Sequence, residues 1–241
     1  MHPSQPTIVF LHGALNDHSV WDALADALAG RGHRVLAPDL PGHGGAPGPA
    51  LGSVEAMAAW LLERLAADGV DKALLVGHSM GSLIALEAAQ RAPDRIAGLA
   101  LLGTAWPMKV SDALLAGALE DQAGAIAMVA QWSHADATLE AASRRLMERV
   151  AEAGPPHLLH TDLAACKAYA GGATAAAAVD VPVLFVLGSS DRMTPPRATK
   201  ALTDAVRHGK IVEVDAGHAM MAEQPDAVRD ALAAFAAACA T

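Results

Sequence analysis

The fold of this chain is constrained most by one stretch, residues 74–82, which reads LLVGHSMGS. An apolar strand there runs into Ser79, which has a glycine two residues before it and another two residues after it, and then into a helix. Side chains at Gly77 and Gly81 would obstruct so sharp a turn, so the pattern predicts a strained elbow that holds the serine hydroxyl clear of the sheet. The elbow would also leave the amide of Met80 at a helix N-terminus, where it can stabilise an oxyanion. The alternative is a tight turn that happens to contain a serine.

The first predicted strand, residues 7–11, ends in a second short signal. Its sequence, TIVFL, is apolar and β-branched, which is typical of a parallel strand buried on both faces. His12 and Gly13 follow, and the glycine allows a turn that aims the amide of Ala14 inward as a second oxyanion donor. An ordinary turn at the end of a strand explains the same residues equally well.

Strands and helices alternate along most of the chain. Further strands are expected at residues 34–37, 72–76, 96–102, 182–188 and 211–214. We expect Ser19 and Thr194 to be helix N-caps, a helix from Ser53 to about Ala67, and a closing helix at 225–238. This alternation predicts an α/β fold with a doubly wound, mostly parallel sheet of about six strands. Ligands of such sheets bind beyond the carboxyl ends of the strands.

The alternation is interrupted midway along the chain. Residues 106–179 show only helical periodicity, with helices expected at 111–119, 122–132, 137–150 and 156–169. A flexible return linker is expected at 171–175, which reads GGATA. We interpret 106–179 as a helical lid inserted into a core that consists of 1–105 and 180–241. Ordinary crossover helices are the alternative, although a single crossover does not need four of them.

Three predicted strand ends supply a serine, an acid and a histidine, in the order Ser79, Asp191, His218. A serine hydroxyl is a poor nucleophile until a neutral imidazole accepts its proton. A buried carboxylate orients that imidazole and stabilises its charged form. Each of the three loops is weak evidence alone, but their occurrence at successive strand ends predicts acyl-transfer chemistry.

Other acids fit this role less well. The loop after the strand 96–102 begins GTAW and contains no Asp or Glu. Asp215 lies only three residues before His218 in the same turn, where its carboxylate would reach the ring awkwardly. Asp162 falls within the predicted lid. These positions leave Asp191 as the favoured acid.

The motifs and their order resemble the α/β-hydrolase superfamily. The resemblance covers nearly the whole chain outside the lid and rests on motifs at 12–13, 41–44, 77–81, 188–191 and 217–218. It implies that Ser79 is the nucleophile, Asp191 the acid and His218 the base, with an oxyanion hole formed by the amides of Ala14 and Met80. The hairpin that many members carry ahead of the first strand is missing from the pattern. A serine at position 79 disfavours haloalkane dehalogenase and soluble epoxide hydrolase chemistry, which needs an aspartate there.

Large apolar residues lie either close in sequence to the predicted catalytic and oxyanion groups or in the predicted lid that would face them. We expect substrate contacts from six of them, Leu15, Trp106, Met108, Trp132, Met193 and Met220. Methionine adapts to several shapes, so the set favours a hydrophobic or neutral acyl group. Core packing beneath the loops is the alternative for each residue. Arg192 and Lys109 stay open as contacts for a charged substrate group.

Charge and hydropathy exclude several classes of partner. The net charge of −9 and the lack of a basic run argue against nucleic acid. No apolar run is long enough to span a membrane, and the N-terminus does not resemble a signal peptide, so we expect a cytoplasmic location. A small-molecule substrate is therefore expected, and a homodimer is left open.

The cysteine and histidine spacings indicate neither a disulfide nor a metal. Cys166 and Cys239 lie far apart and in no CxxC pattern, so we expect buried, reduced thiols. The four histidines of the N-terminal region show neither HxHxDH nor HExxH spacing: His12, His18, His33 and His43. For His43 we favour packing within its loop over a ligand role. We expect no metal and no cofactor.

These observations lead to one main functional hypothesis and two alternatives. The main hypothesis is a serine carboxylesterase that works through an acyl-enzyme. The same fold acting on a carbon–carbon, thioester or amide bond, or as a perhydrolase or a lyase, is the first alternative. The second is a ligand-binding receptor that keeps the residues without turnover.

Overall fold

The computed structural model describes residues 5–240, which form one parallel sheet flanked by helices. The strands are β1 Thr7–Leu11, β2 Val35–Leu36, β3 Ala73–His78, β4 Ile96–Leu102, β5 Val183–Gly188 and β6 Gly209–Val214. The first helices are α1 Asp22–Ala29, α2 Val54–Ala67 and α3 Met80–Arg91. Between β4 and β5 lie α4 Asp112–Glu120, α5 Gln122–Ser133, α6 Glu140–Ala153, α7 Leu158–Ala168 and α8 Gly172–Ala178. The last are α9 Lys200–Ala205, α10 Met220–Glu223 and α11 Pro225–Cys239.

The six strands are arranged in the order β2-β1-β3-β4-β5-β6, and each neighbouring pair is parallel. The register aligns Leu11 with Gly77 and His78 with Leu102. The carboxyl ends of β1, β3 and β4 therefore meet at one edge of the sheet. The predicted α/β fold with six parallel strands is confirmed, and the loops that carry the predicted site follow this edge.

Helices cover both faces of the sheet because alternate strand residues point to opposite sides. Val9 and Leu11 of β1 pack in a cluster with residues of α2 and α3. Ile8 and Phe10 of the same strand pack in a second cluster with residues of α1 and α11. Both faces are buried, which explains why the strands read as continuous apolar runs. Within residues 5–240, no helix combines the length and the apolar character that crossing a bilayer requires.

The five helices α4–α8, which we call the β4–β5 insertion, interrupt the alternation as expected. Several of them share an apolar cluster of their own, which also contains a residue of the β1–α1 loop: Leu15, Leu114, Ile126, Val129, Met147, Leu159 and Leu163. Four of the five helices lie close to the expected positions. The division into a core and a lid at residues 106–179 stays a prediction.

The structure corrects the expected linker at residues 171–175. Residues 172–178 form α8 instead of a flexible segment. The run of alanines favours a helix, and this outweighs the two glycines before it. Gly172 has a packing role, since a Cβ atom there would lie 2.3 Å from the Trp106 ring.

Both expected N-caps are also wrong. The carboxylate of Asp17 accepts the backbone N–H of Ser19, so Asp17 caps a short 3-10 helix there. Pro195 precedes the 3-10 helix Pro196–Thr199, and the Thr194 hydroxyl bonds to Asp191 instead. The helix expected from Ser53 to about Ala67 is confirmed as α2, and Ser53 caps it by accepting the N–H of Ala56 at 3.1 Å.

Candidate active site

The turn from β3 to α3 has the strain expected of the elbow. Ser79 has φ 52° and ψ −116°, a backbone conformation that residues other than glycine rarely adopt. A Cβ atom on Gly77 would lie 2.2 Å from the Gly81 carbonyl oxygen. A Cβ atom on Gly81 would lie 2.2 Å from the Leu11 carbonyl oxygen. Both glycines are therefore required by close backbone packing around the serine.

Asp191 and His218 form a buried pair at the ends of β5 and β6. His218 Nδ1 donates to Asp191 Oδ2 at 2.8 Å, which leaves Nε2 free to accept a proton. The Thr194 hydroxyl donates to the same oxygen at 2.8 Å and lies 3.1 Å from His218 Nδ1. Oδ1 accepts the backbone N–H groups of Met193 and Thr194, each at 2.8 Å. Asp191 is thus fixed at both oxygens.

Asp191 is ionised despite its burial. Burial alone raises its pKa, but the charge of His218 and the hydrogen bonds from His218 and Thr194 outweigh burial and hold the pKa well below its ordinary value. A permanently charged carboxylate at this position stabilises an imidazolium. The arrangement suits a histidine that takes up and returns a proton.

A cavity of about 510 Å³ lies between the carboxyl edge of the sheet and the β4–β5 insertion. Ser79 and His218 both line it, together with Ala14 from the β1–α1 loop. Its apolar wall comes from the insertion and includes Leu114, Val129, Leu146, Met147 and Leu163. Among residues 5–240, no hydrogen bond reaches the Ser79 hydroxyl, which faces this space. An acyl group entering the cavity would meet the serine and the histidine at one end.

The peptide between Gly13 and Ala14 carries the first predicted oxyanion donor. Its carbonyl oxygen accepts His12 Nδ1 at 2.9 Å and the backbone N–H of Asn16 at 3.3 Å. The Ala14 amide has no hydrogen-bond partner within residues 5–240. Because Ala14 lines the cavity, its N–H is available to a ligand.

His12 is held neutral in the tautomer that this contact requires. Burial, with a smaller contribution from the nearby charge of His43, lowers the pKa of His12 to about 4. Its Nε2 accepts the backbone N–H of Leu40 at 3.1 Å, which leaves the proton on Nδ1. His12 is buried and fixes the Gly13 carbonyl oxygen through its Nδ1–H.

Met80, the second predicted donor, is the first residue of α3. Amides in the first turn of a helix have no acceptor within the helix, and the helix dipole favours a negative charge near them. The Met80 side chain is fully buried in the core and takes no part in the cavity wall. Of the two predicted donors, Ala14 therefore lines the same cavity as Ser79, and Met80 directly follows Ser79 in the chain.

Comparison with known proteins agrees with this architecture. The sequence matches the model of the Alpha/beta hydrolase family over residues 8–231. The chain belongs to the α/β-hydrolase family. It is 32% identical to the pimeloyl-[acyl-carrier protein] methyl ester esterase of Aromatoleum aromaticum over 92% of this chain and 95% of that protein. It is 29% identical to the sn-1-specific diacylglycerol lipase ABHD11 of Mus musculus over 95% of this chain and 80% of that protein.

Solved structures show the same fold. An esterase from Exiguobacterium antarcticum superimposes with a TM-score of 0.88 over 98% of this chain and 93% of its own, at 19% identity. An enol-lactonase from Burkholderia xenovorans gives a TM-score of 0.86 over 97% of this chain and 92% of its own, at 24% identity. The family and its esterase relatives identify this α/β hydrolase as a hydrolytic enzyme.

Three of the six predicted substrate contacts line the cavity of this α/β hydrolase: Met108, Trp132 and Met193. Leu15 is fully buried and packs in the apolar cluster of the insertion. Trp106 packs against Gly172 and donates from Nε1 to the Tyr169 carbonyl oxygen at 3.3 Å.

The third residue outside the cavity is Met220. Its side chain is fully buried beneath the loop, whereas its neighbour Met221 lines the cavity. Cys166, expected only as a buried thiol, lines the cavity as well. Burial raises the pKa of this thiol, so it adds a small apolar surface to the wall.

The two cations left open by the sequence differ in their surroundings. Arg192 donates to the carbonyl oxygens of Gln131 at 2.7 Å and His134 at 3.3 Å, so it joins the loop of Asp191 to the end of α5. Lys109 lines the cavity and has no ion pair among the described residues. No group of three His, Cys, Asp or Glu side chains within residues 5–240 is arranged to hold a metal.

Sequence reasoning missed a residue that supports the His218 loop. Glu223 accepts the backbone N–H of Gly217 at 3.1 Å and that of Ala135, in the insertion, at 3.2 Å. The Ala219 amide also donates to the Ser133 carbonyl oxygen at 2.8 Å. The spacing of Glu223 gives no signal of this role, since its partner Ala135 is 88 residues away in the sequence.

Proposed function

We propose that this protein is a serine carboxylesterase with Ser79 as nucleophile, His218 as general base and acid, and Asp191 as the orienting acid. The observation that carries the proposal is the bond from His218 Nδ1 to the ionised Asp191, beside a cavity that both His218 and Ser79 line. It leaves the histidine Nε2 as the acceptor for the serine proton.

The reaction would follow the two steps of acyl transfer. Ser79 attacks the ester carbonyl, His218 accepts its proton, and the amides of Ala14 and Met80 stabilise the oxyanion. His218 then protonates the leaving alcohol. Water, activated by the same imidazole, hydrolyses the acyl-enzyme and restores the serine.

The cavity supports a small, apolar or neutral acyl group. Its volume is about 510 Å³, and the wall opposite Ser79 is mainly aliphatic. The only lysine and arginine side chains that line it, among the described residues, are Lys109 and Arg192, and Arg192 is bound to backbone carbonyls. Of the activities named for the relatives, we propose for this protein only the hydrolysis of an ester bond. The insertion would act as the lid, and a cytoplasmic location and a homodimer stay predictions.

Hydrolysis of p-nitrophenyl esters from acetate to decanoate, at pH 8, tests the proposal. We expect the wild type to turn over, with an optimum chain length that reflects the cavity. Ser79→Ala should lower kcat by about 10⁶-fold, leaving the residual activity that oxyanion binding provides. Ser189→Ala is the matched control, because the hydroxyl of this exposed serine bonds only to Asp215, at 3.3 Å, among residues 5–240.

Two results would count against the proposal. One is turnover by Ser79→Ala at a rate near that of the wild type. The other is a lack of turnover across ester, thioester and amide substrates while a ligand binds tightly. Labelling with a fluorophosphonate adds a direct readout, since peptide mass analysis should place the adduct on Ser79.

A further inference from the structure

A buried carboxylate of the insertion reaches the loop of the predicted oxyanion hole. Asp162, in α7, is fully buried. Its Oδ2 accepts the backbone N–H of Leu15 at 2.8 Å and also binds His43 Nε2 at 2.9 Å. The two partners lie 147 and 119 residues away in the sequence. The contact therefore joins the insertion to two separate loops of the core.

Leu15 directly follows the residue that carries the free amide. It has φ 50°, in the left-handed region that a leucine rarely adopts. The peptide between Ala14 and Leu15 is held at both ends, because Asp162 accepts its N–H and Asn16 Nδ2 donates to its carbonyl oxygen at 3.0 Å. These two bonds keep the strained turn in place.

His43 and Asp162 form an ion pair whose two side chains are both buried. The two ring nitrogens of His43 face acceptors, Asp162 Oδ2 and the Pro41 carbonyl oxygen at 3.3 Å, so both carry protons in the charged form. Burial lowers the pKa of His43, but the bond to Asp162 and its charge outweigh burial and raise the pKa above the ordinary value. Removing one partner of a buried ion pair strongly destabilises the protein, because the other partner stays buried without a countercharge.

We propose that Asp162 is a positioning residue that holds the Ala14 amide toward the reacting carbonyl by fixing the Leu15 N–H. The inference rests on the proposed function, since it assigns the oxyanion donor to Ala14. The peptides on either side of Ala14 are joined at its Cα, so holding the second peptide restricts the orientations that are open to the first. Docking of α7 is thereby a condition for a complete oxyanion hole.

The fold already fixes the Gly13 side of this amide through His12. Asp162 fixes the other side, and its carboxylate comes from the insertion and not from the sheet. Loss of the carboxylate leaves the Leu15 N–H unpaired and lets Leu15 leave the left-handed region. The amide then moves away from the oxyanion while the cavity wall that binds the acyl chain stays in place.

The test compares Asp162→Ala and Asp162→Asn with the wild type, using the p-nitrophenyl ester that the wild type hydrolyses fastest. Asp162→Ala should lower kcat about 10- to 100-fold and leave KM within about two-fold, because a misplaced donor affects the transition state and not substrate binding. Asp162→Asn, whose amide oxygen can still accept the Leu15 N–H, should recover kcat to within about five-fold of the wild type.

A tetrahedral inhibitor provides a second readout. Hexyl trifluoromethyl ketone forms a hemiketal whose oxyanion needs the same amides. Its Ki should rise in Asp162→Ala by the factor by which kcat/KM falls.

Tyr169→Phe is the matched control for the loss of a buried contact between the insertion and the core. Its hydroxyl donates to Glu87 Oε2 at 2.8 Å, away from the cavity. This variant should lose thermal stability and keep kcat.

Replacement of the Leu15 peptide N–H by an ester oxygen covers the case in which Asp162→Ala does not fold. The change removes the donor and keeps every side chain. A fall in kcat at constant KM supports the proposal. An unchanged kcat in the folded ester variant, or in folded Asp162→Ala, overturns it. Wild-type turnover together with an inactive Ser79→Ala would still leave the proposed function standing, so the two failures are distinguishable.

Discussion

The imidazole of His78 donates from Nε2 to the carbonyl oxygen of His218 at 2.9 Å. This bond joins the residue before the elbow serine to the residue proposed as the base, across the ends of β3 and β6. Burial, followed by the nearby His218, lowers the pKa of His78 to about 3. His78 is therefore neutral across the working range of the enzyme and supports the His218 loop as a neutral donor.

Acidification should destabilise the protein through His78. Its pKa is about 3 in the folded state and 6.5 in the unfolded state, so the unfolded chain binds one more proton between these values. The contribution of His78 to the free energy of unfolding is therefore fully present above pH 6.5. It falls as the pH drops below 6.5, by about 1.4 kcal/mol per pH unit. Urea unfolding at pH 7 and pH 5 should show a loss in the wild type that is about 2 kcal/mol larger than in His78→Gln.

Between pH 7 and pH 8 the stabilities of the wild type and His78→Gln should change in parallel, because His78 is neutral in both states there. His12, whose pKa is lowered to about 4, adds a similar slope to both proteins and cancels in the difference. Equal losses between pH 7 and pH 5 would show that His78 is protonated in the folded protein.

Asp191 should be the acid on which turnover depends. Asp191→Asn removes the charge that orients His218, and we expect kcat to fall by about 10⁴-fold. Asp215→Asn is the matched control, because Asp215 is exposed and accepts only a 3.3 Å bond from Ser189 through its side chain. We expect it to stay within two-fold of the wild type. A large effect of Asp215→Asn with little effect of Asp191→Asn would reassign the acid.

Thr194 should contribute to turnover through the carboxylate that it binds. Thr194→Val keeps the shape and removes the hydroxyl that donates to Asp191 Oδ2. A hydrogen bond to a charged group contributes about 1.5–3 kcal/mol, so we expect kcat to fall about 10-fold with KM unchanged.

The control for this variant is Thr199→Val, which also removes a buried hydroxyl. That hydroxyl donates to the Thr104 carbonyl oxygen at 2.7 Å, outside the Asp191 site. Thr199→Val should lower the melting temperature and leave kcat as in the wild type. A similar loss of kcat in both variants would mean that general loosening, and not the bond to Asp191, explains the Thr194 result.

The elbow should not tolerate a side chain at Gly81. Gly81→Ala places a methyl group 2.2 Å from the Leu11 carbonyl oxygen, and this backbone has no space to move. We expect a loss of more than about 4 kcal/mol of unfolding free energy, or no folded protein at all. Gly52→Ala, where no atom lies within 4 Å of the new carbon, should stay within about 0.5 kcal/mol of the wild type. Circular dichroism melting curves measure both.

Most of the fold follows from local patterns. Ile96–Leu102 occupies the predicted residues, and the other strands lie within two residues of their predicted ends. The predicted serine, acid and histidine follow β3, β5 and β6, because strand ends and glycine turns leave a local signal. The prediction of a flexible linker was wrong for a local reason as well, because the helix propensity of the alanines in α8 outweighs that of the glycines.

Side-chain direction could not be predicted in the same way. Met220 and Met221 are adjacent, and only the packing of α10 decides that Met221 faces the cavity and Met220 the core. Leu15 directly follows the predicted oxyanion donor Ala14, and Trp106 begins the predicted lid, but both pack outside the cavity. A hydrophobic periodicity identifies the buried face of a helix. It does not show whether a residue of that face packs in the core or lines the cavity.

The sequence by itself determined the parallel sheet, the strained turn at Ser79 and the order of the three predicted catalytic residues, because each depends on residues close together in the chain. Only the tertiary structure decided that Asp162 and His43 meet beside Leu15. Such a buried ion pair is stable only when both partners and the backbone N–H come together, and no local pattern records contacts across more than a hundred residues.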